Sequence, residues 1–100
     1  MAYGLYGKLV TQAGKRDAVT EILLRDVNEL KSVGCKLYIV NHAAEEPDAI
    51  WVTEVWDSAE SHAASLQLPT VKAAIAEAMP MLTGEFDQVK LDVVGGLGLF

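Results

Sequence analysis

Residues 54–70, EVWDSAESHAASLQLPT, pass without a break from an apolar strand into a helix. Small and polar residues directly after a strand are typical of a helix start. Asp57 can accept hydrogen bonds from the first-turn amides while Glu60 reaches back, which is a variant of the capping box. The ring of His62 is predicted to face the sheet because it shares a helical stripe with Ala59, Ala63 and Leu66.

The segments on either side alternate between strand and helix patterns. Strands are predicted at residues 3–10, 35–41, 49–56 and 85–94, and helices at 15–33, 58–66 and from 69 to the proline at 80. This order is the split βαβ of a ferredoxin-like α+β domain, with both helical regions on one face of an antiparallel four-stranded sheet. The 100 residues are therefore predicted to be one domain, with a core over about 3–94.

The central strands carry apolar residues on both faces. In the strand at 49–56, Ile50, Val52 and Trp56 point to one face, and Trp51 and Val55 point to the other. In the strand at 35–41, Leu37 and Ile39 share one face, and Tyr38 and Val40 share the other. A sheet face open to water is normally polar, and a large exposed apolar patch is rare on a monomer. We expect a second copy to cover this face, giving a homodimeric α/β barrel. The alternatives are a few tolerated exposed apolar residues, or cover from the apolar, glycine-rich tail 95–100, in which Leu97, Leu99 and Phe100 are expected to pack on something.

The composition excludes several kinds of partner. The net charge is −6 and the eight Lys and Arg residues are scattered, so nucleic acid is not an expected partner. Residues 1–4, MAYG, do not start a charged region followed by a long apolar run, and no stretch approaches the roughly 20 apolar residues of a membrane span. We therefore expect a cytoplasmic protein without a targeting leader or a membrane partner. Cys35, which is the single cysteine, is expected to be a small buried residue, and no spacing of ligands predicts a metal site.

His62 and Glu54 are the candidate catalytic residues. Histidine titrates near neutrality and suits a general base, while a carboxylate among apolar neighbours has a raised pKa if it is unpaired. The competing interpretations are a half-buried structural histidine that bonds a backbone carbonyl, and a glutamate paired with Lys8, Lys36 or Lys90. His42 is expected to be a solvated turn residue.

Three large aromatic residues on predicted strands are candidates for contact with a planar substrate: Tyr6, Tyr38 and Trp56. Aromatic side chains of this size are equally common in protein cores and in dimer interfaces, and that alternative remains open for all three.

Three segments, GCKLY at 34–38, EVWDS at 54–58 and LQLPTVKA at 66–73, resemble the antibiotic biosynthesis monooxygenase (ABM) domain, especially its quinol monooxygenase-like branch. The resemblance implies a homodimer with a pocket between sheet and helices, and oxidation of quinols or aromatic compounds by O₂ without a metal or flavin cofactor. Quinol-type members often have histidines where this chain has Ser65 and Thr70. The haem-degrading branch has an asparagine, a tryptophan and a histidine that would fall near Gly7, Ser65 and Ile75, so haem degradation is not implied.

The first hypothesis is therefore a cofactor-independent monooxygenase acting on a small aromatic or quinol-like molecule. His62 would be the base, and Glu54, Tyr38 and Trp56 would line or polarise the pocket. Ser65, one turn after His62, would bind the substrate, as would Tyr6. The alternative is a non-catalytic, dimeric small-molecule-binding or stress-associated protein with the same fold. Isomerisation or decarboxylation of a lactone-like substrate is a third possibility, because one fold supports several chemistries.

Overall fold

A computed structural model describes residues 2–98 and shows a four-stranded antiparallel sheet with helices on one face. The elements are β1 (Ala2–Thr11), α1 (Arg16–Leu24), α2 (Val27–Ser32), β2 (Cys35–His42), β3 (Ala49–Trp56), α3 (Ala59–Ser65), α4 (Pro69–Ala78), a 3₁₀ turn (Met79–Met81) and β4 (Leu82–Val93). The strand order β2-β3-β1-β4 confirms the predicted ferredoxin-like α+β fold.

The helix predicted over residues 15–33 is divided, and this part of the prediction is wrong. The amides of Arg25 and Glu29 bond carbonyls three residues back, at 3.4 Å and 3.0 Å, in place of the α-helical spacing of four. Asp26 lies between them with φ −120° and ψ 29°. Arg25 also pairs with Glu77 of α4 at 2.7 Å. The apolar period continues through the break, so the sequence pattern does not show it.

The cap of α3 also differs from the prediction. Ser58, and not Asp57, is the N-cap, and its hydroxyl accepts a hydrogen bond from the amide of Ser61 at 3.1 Å. The Asp57 amide instead donates to the carbonyl of Gly34 at 2.8 Å. This bond continues the pairing of β2 with β3 by one residue beyond Trp56. As a result, α3 presents His62 and Ser65 inward, while the other members of the predicted stripe, Ala59, Ala63 and Leu66, are exposed.

The hydrophobic core lies between the sheet and the helices. Its largest fully buried apolar side chains are Trp56, Leu5, Ile50 and Val19. The ladder register places alternate strand residues on the opposite, open face of the sheet. Large apolar side chains remain exposed there, namely Tyr6, Ile39, Val89 and Leu91. The register also places Leu37 of β2 and Trp51 and Val55 of β3 on this face, which confirms the predicted two-sided apolar character of β2 and β3.

The tail leaves the open face uncovered as far as the structure describes it. Val94 is 87% exposed and Leu97 is fully exposed, so the side chains of these two residues do not pack within the protomer. Leu99 and Phe100, the other residues of the predicted contact, lie outside the described residues. Cover of the open face by residues 94–98 of the same protomer is thereby excluded.

One smaller expectation is met and another is met in part. Cys35 is buried, and this burial raises the pKa of its thiol to about 11, which disfavours the reactive thiolate. His42 is exposed as expected, but it is the last residue of β2, paired with Ile50, and not a turn residue; its Nε2 lies 2.7 Å from the hydroxyl of Thr20. Within residues 2–98, none of the helices has the length and apolar character needed to cross a bilayer.

Candidate functional site

A cavity of about 390 Å³ lies between the helix-facing side of the sheet and the helices. This size is within the range of small-molecule pockets. The sheet contributes Leu9, Tyr38, Glu54, Trp56, Phe86 and Gln88, and the helices contribute mostly apolar residues, including Ile22, Leu23, Val71, Ala74 and Ile75. The fold therefore produces the pocket that the resemblance implied, in the predicted position.

Three candidate residues meet at one end of this cavity. One carboxylate oxygen of Glu54 accepts a hydrogen bond from the indole N–H of Trp56 at 3.0 Å. The same oxygen lies 3.9 Å from Nε2 of His62. The ring of His62 packs edge-on against Trp56, with centroids 5.3 Å apart. Strand β3 supplies the first two residues on one face at spacing two, and the first turns of α3 bring the histidine over them.

The separation of 3.9 Å between Glu54 and His62 is too long for a direct hydrogen bond. A hydroxyl oxygen placed beside the pair can reach both atoms at hydrogen-bond distance. The side chains of Glu54 and His62 are only 14% and 20% exposed, so a group bound there is largely removed from water. The geometry thus suits recognition of an ionisable hydroxyl group.

Burial brings the pKa values of these two residues closer together. Desolvation raises the pKa of Glu54 above 4.5, and the Trp56 hydrogen bond opposes this only in part. Desolvation, followed by the positive charge of Lys90, lowers the pKa of His62 below 6.5. His62 is therefore neutral at pH 7 and able to accept a proton, and the pair is an acid–base couple rather than a fixed salt bridge.

Tyr38 and Ser65 line the same cavity. Tyr38 stands opposite Glu54 in the β2–β3 ladder, and its burial, together with the Glu54 charge, raises the pKa of its phenol far above 10. Ser65 is 2% exposed and donates a hydrogen bond to the backbone carbonyl of His62 at 2.6 Å. Its hydroxyl proton is therefore committed to α3, although its oxygen still has accepting capacity.

Tyr6 is not part of this site. It lies on the open face of the sheet and stacks on Trp51 with ring centroids 4.9 Å apart. The two faces of β1 both carry large side chains, Leu5 and Tyr6, so sequence alone does not determine which faces the helices. The expected partners of Glu54 are also different: Lys8 pairs with Glu46 at 2.8 Å on the open face, and Lys36 lies 3.6 Å from Asp57.

Sequence reasoning missed several residues of the lining. Phe86 and Gln88 reach the cavity from β4, and Asp26 reaches it from the break between α1 and α2. The sequence of β4 alternates, with Val89, Leu91 and Val93 on one side and Gln88, Lys90 and Asp92 on the other, but this alternation does not indicate which set faces the helices. Among residues 2–98, no three histidine, cysteine or acidic side chains are grouped as metal ligands would be.

Comparison with known proteins agrees with this geometry. The family model for antibiotic biosynthesis monooxygenases matches residues 3–77. A candidate antibiotic biosynthesis monooxygenase from Chloroflexus aurantiacus J-10-fl is 43% identical, with both chains covered completely and a TM-score of 0.87. A candidate enzyme of the same name from Caulobacter crescentus CB15 is 23% identical, with 94% of this chain and 91% of that chain covered and a TM-score of 0.85. Searching the curated proteins returns no match.

The fold and the cavity define a ferredoxin-like α+β domain with a ligand pocket between its sheet and helices. With the family model matched over most of its length and a complete structural relative at 43% identity, the chain belongs to the antibiotic biosynthesis monooxygenase family.

Proposed function

We propose that this protein is a cofactor-independent monooxygenase that oxidises a small aromatic or quinol-like substrate. The observation that carries the proposal is the pairing of Glu54 and His62, 3.9 Å apart and mostly buried, at the end of an apolar cavity. Family membership supports a monooxygenase-like activity in general. The substrate class and the roles of individual residues are our proposal.

The first chemical step is proton transfer from a substrate hydroxyl or activated C–H group to His62. The neutral imidazole is the available base at pH 7, because burial lowers its pKa. The imidazolium that forms is stabilised by the Glu54 carboxylate at 3.9 Å. Glu54 is itself held in orientation by Trp56. The product of this step is an electron-rich substrate anion inside an apolar pocket.

The anion then transfers one electron to O₂, and the resulting substrate radical combines with superoxide to form a C–O bond. The peroxide takes the proton back from the site and loses water, so that a C–H₂ or aromatic C–H position becomes a carbonyl group. One oxygen atom of O₂ enters the product and the other leaves as water, and the substrate supplies all the electrons. The apolar walls, including Ile22, Val71 and Ala74, exclude bulk water from the radical pair.

Oxygen uptake with a panel of quinols and anthrones tests the proposal. We expect uptake with at least one substrate, and a decrease in kcat/KM of about 10²- to 10⁴-fold for His62→Ala, which removes the general base. His42→Ala is the matched control, because His42 is exposed and contacts Thr20 instead of the cavity. Uptake unchanged in His62→Ala would contradict the proposed role of His62.

A non-catalytic binding protein is the second candidate, and one observation favours it. The hydroxyls that occupy the positions of the family's histidines are both engaged within the chain, Ser65 with the His62 carbonyl at 2.6 Å and Thr70 with Glu29 at 2.8 Å. Neither hydroxyl is a base. Tight binding of an aromatic ligand without oxygen uptake from any substrate of the panel would support this candidate over the enzyme.

A further inference from the structure

The rim of the cavity is made of large apolar side chains that remain open to solvent. Four of the lining residues are between 39% and 60% exposed: Leu66, Ile75, Met79 and Phe86. Ile75 and Met79 are four residues apart, on one face at the end of α4. Exposed apolar residues grouped in this way are typical of a surface that binds an apolar group.

Inside the cavity, one end is polar. Glu54, His62 and Ser65 are grouped there, and between them and the rim the walls are largely apolar. Of the other polar side chains in the lining, Thr70 is already bonded to Glu29, while Asp26 and Gln88 lie on separate elements, the α1–α2 break and β4. The cavity thus has an acid–base end and an apolar opening, and the small side chains of Ala74 and Ala78 leave space between them.

Resting on the function proposed above, we infer that the substrate is an amphiphile. Its phenol or quinol head binds at Glu54 and His62, and an apolar substituent several carbons long leaves the cavity across the rim residues. The continuity of apolar wall from the interior to the rim favours one molecule that occupies both. A compact polar aromatic would leave the four rim side chains in water.

A homologous series tests this inference. In a Trp51→Phe background, Trp56 is the remaining tryptophan and its fluorescence reports ligand binding in the cavity. Hydroquinone and its n-alkyl derivatives from methyl to hexyl are titrated without oxygen, so that binding is measured separately from turnover. We expect Kd to fall about threefold for each added methylene group, because each one is transferred from water to the apolar rim.

The double substitution Met79→Ser with Phe86→Ser should reduce this dependence to less than about 1.5-fold per methylene, because it removes the apolar surface on which the alkyl chain would lie. Leu24→Ser is the matched control, because Leu24 is 45% exposed on α1 but does not line the cavity. It should keep the full dependence. Ile75→Ser is a second rim variant and should give an intermediate value.

A Kd that does not change with chain length would overturn the inference, as would a dependence that the rim variants leave intact. If the rim substitutions instead change the oligomeric mass, the rim is a contact between copies of the chain and not a ligand surface. Steep chain-length dependence without oxygen uptake would retain the amphiphilic ligand and refute the monooxygenase.

Discussion

Burial makes the charged form of Glu54 costly to folding stability. Burial raises the pKa of Glu54, so the folded protein binds its proton more tightly than the unfolded chain, and stability falls as pH rises through the interval above 4.5. Glu54→Gln keeps an oxygen that can accept from Trp56 but removes the charge. We expect a higher Tm than wild type at pH 7, and no difference near pH 4.

The same substitution should lower kcat/KM by at least about tenfold, because the imidazolium loses its stabilising carboxylate. Thermal unfolding followed by circular dichroism, together with oxygen uptake, measures both effects. If Glu54→Gln instead lowers Tm relative to wild type by the same amount at pH 7 and pH 4, Glu54 has a structural role and its charge has no cost to stability.

The loss of activity at low pH should follow the protonation of His62 in the Glu54–His62 pair. His62 must be neutral to accept a proton, and its pKa is lowered by burial and by Lys90, so activity should be lost as pH falls below 6.5. Substituting Lys90→Gln removes the repelling charge and should move this loss to higher pH. The measurement is kcat/KM against pH for both proteins, and an identical loss at low pH would contradict the contribution of Lys90.

At the scale of secondary structure, Gly34 fixes the junction between α2, β2 and the start of α3. Its φ is +107°, its carbonyl accepts from the Asp57 amide, and an added Cβ would meet the Ser61 side chain at 3.0 Å. Gly34→Ala should therefore lower the free energy of unfolding by about 1–3 kcal/mol.

Chemical denaturation measures this loss, and Gly14→Ala is the control. Gly14 also has positive φ, at +76°, but an added Cβ there has open space. The difference between the two variants measures the cost of the close contacts with Ser61 and Asp57. Equal losses would show that backbone strain alone explains the Gly34 effect.

The limits of prediction from sequence are clear at this scale. β3 is predicted with its observed bounds because its apolar run is closed by a turn at Pro47 on one side and by polar residues at 57 and 58 on the other. The cap of α3 is misplaced because Asp57 and Ser58 are both good caps, and pairing of Asp57 with Gly34 decides between them. The break at Arg25–Asp26 coincides with a tertiary contact, the Arg25–Glu77 ion pair, which the periodicity of the sequence does not indicate.

A residue of the site can be predicted from the sequence only where the sequence shows which face of its strand points toward the helices. Glu54 and Trp56 share a face with Ile50 and Val52, so their meeting in the cavity follows from alternation. In β1 the two faces look alike in sequence, since Leu5 neighbours Tyr6, and for that reason the sequence also predicts Tyr6 in the site. In β4 the more apolar set, with Val89 and Leu91, lies on the open face, so the sequence does not indicate that Phe86, in the other set, lines the cavity.

At the scale of the whole molecule, we propose that two copies pack their open sheet faces together. The described residues leave Tyr6, Ile39, Val89 and Leu91 exposed on that face, and the tail up to Gly98 does not cover them. Burial of such a surface is typical of obligate dimers. Static light scattering at micromolar concentration should therefore give twice the chain mass of 10.8 kDa.

Val89→Asp should weaken the dimer at least about tenfold, because it buries an unpaired charge at the interface. Leu24→Asp is the matched control, since Leu24 is similarly exposed but lies on α1 and away from the sheet. A monomer mass for the wild type at micromolar concentration would contradict the dimer.

The central claim is that the acid–base pair in the cavity supports insertion of oxygen into an aromatic substrate. The most direct measurement is the mass of the product formed under ¹⁸O₂ in unlabelled water by wild type, His62→Ala and His42→Ala. The account predicts one labelled oxygen atom in the wild-type and His42→Ala products, and little product from His62→Ala. Unlabelled product with hydrogen peroxide as the fate of O₂, or equal yields from all three proteins, would contradict it.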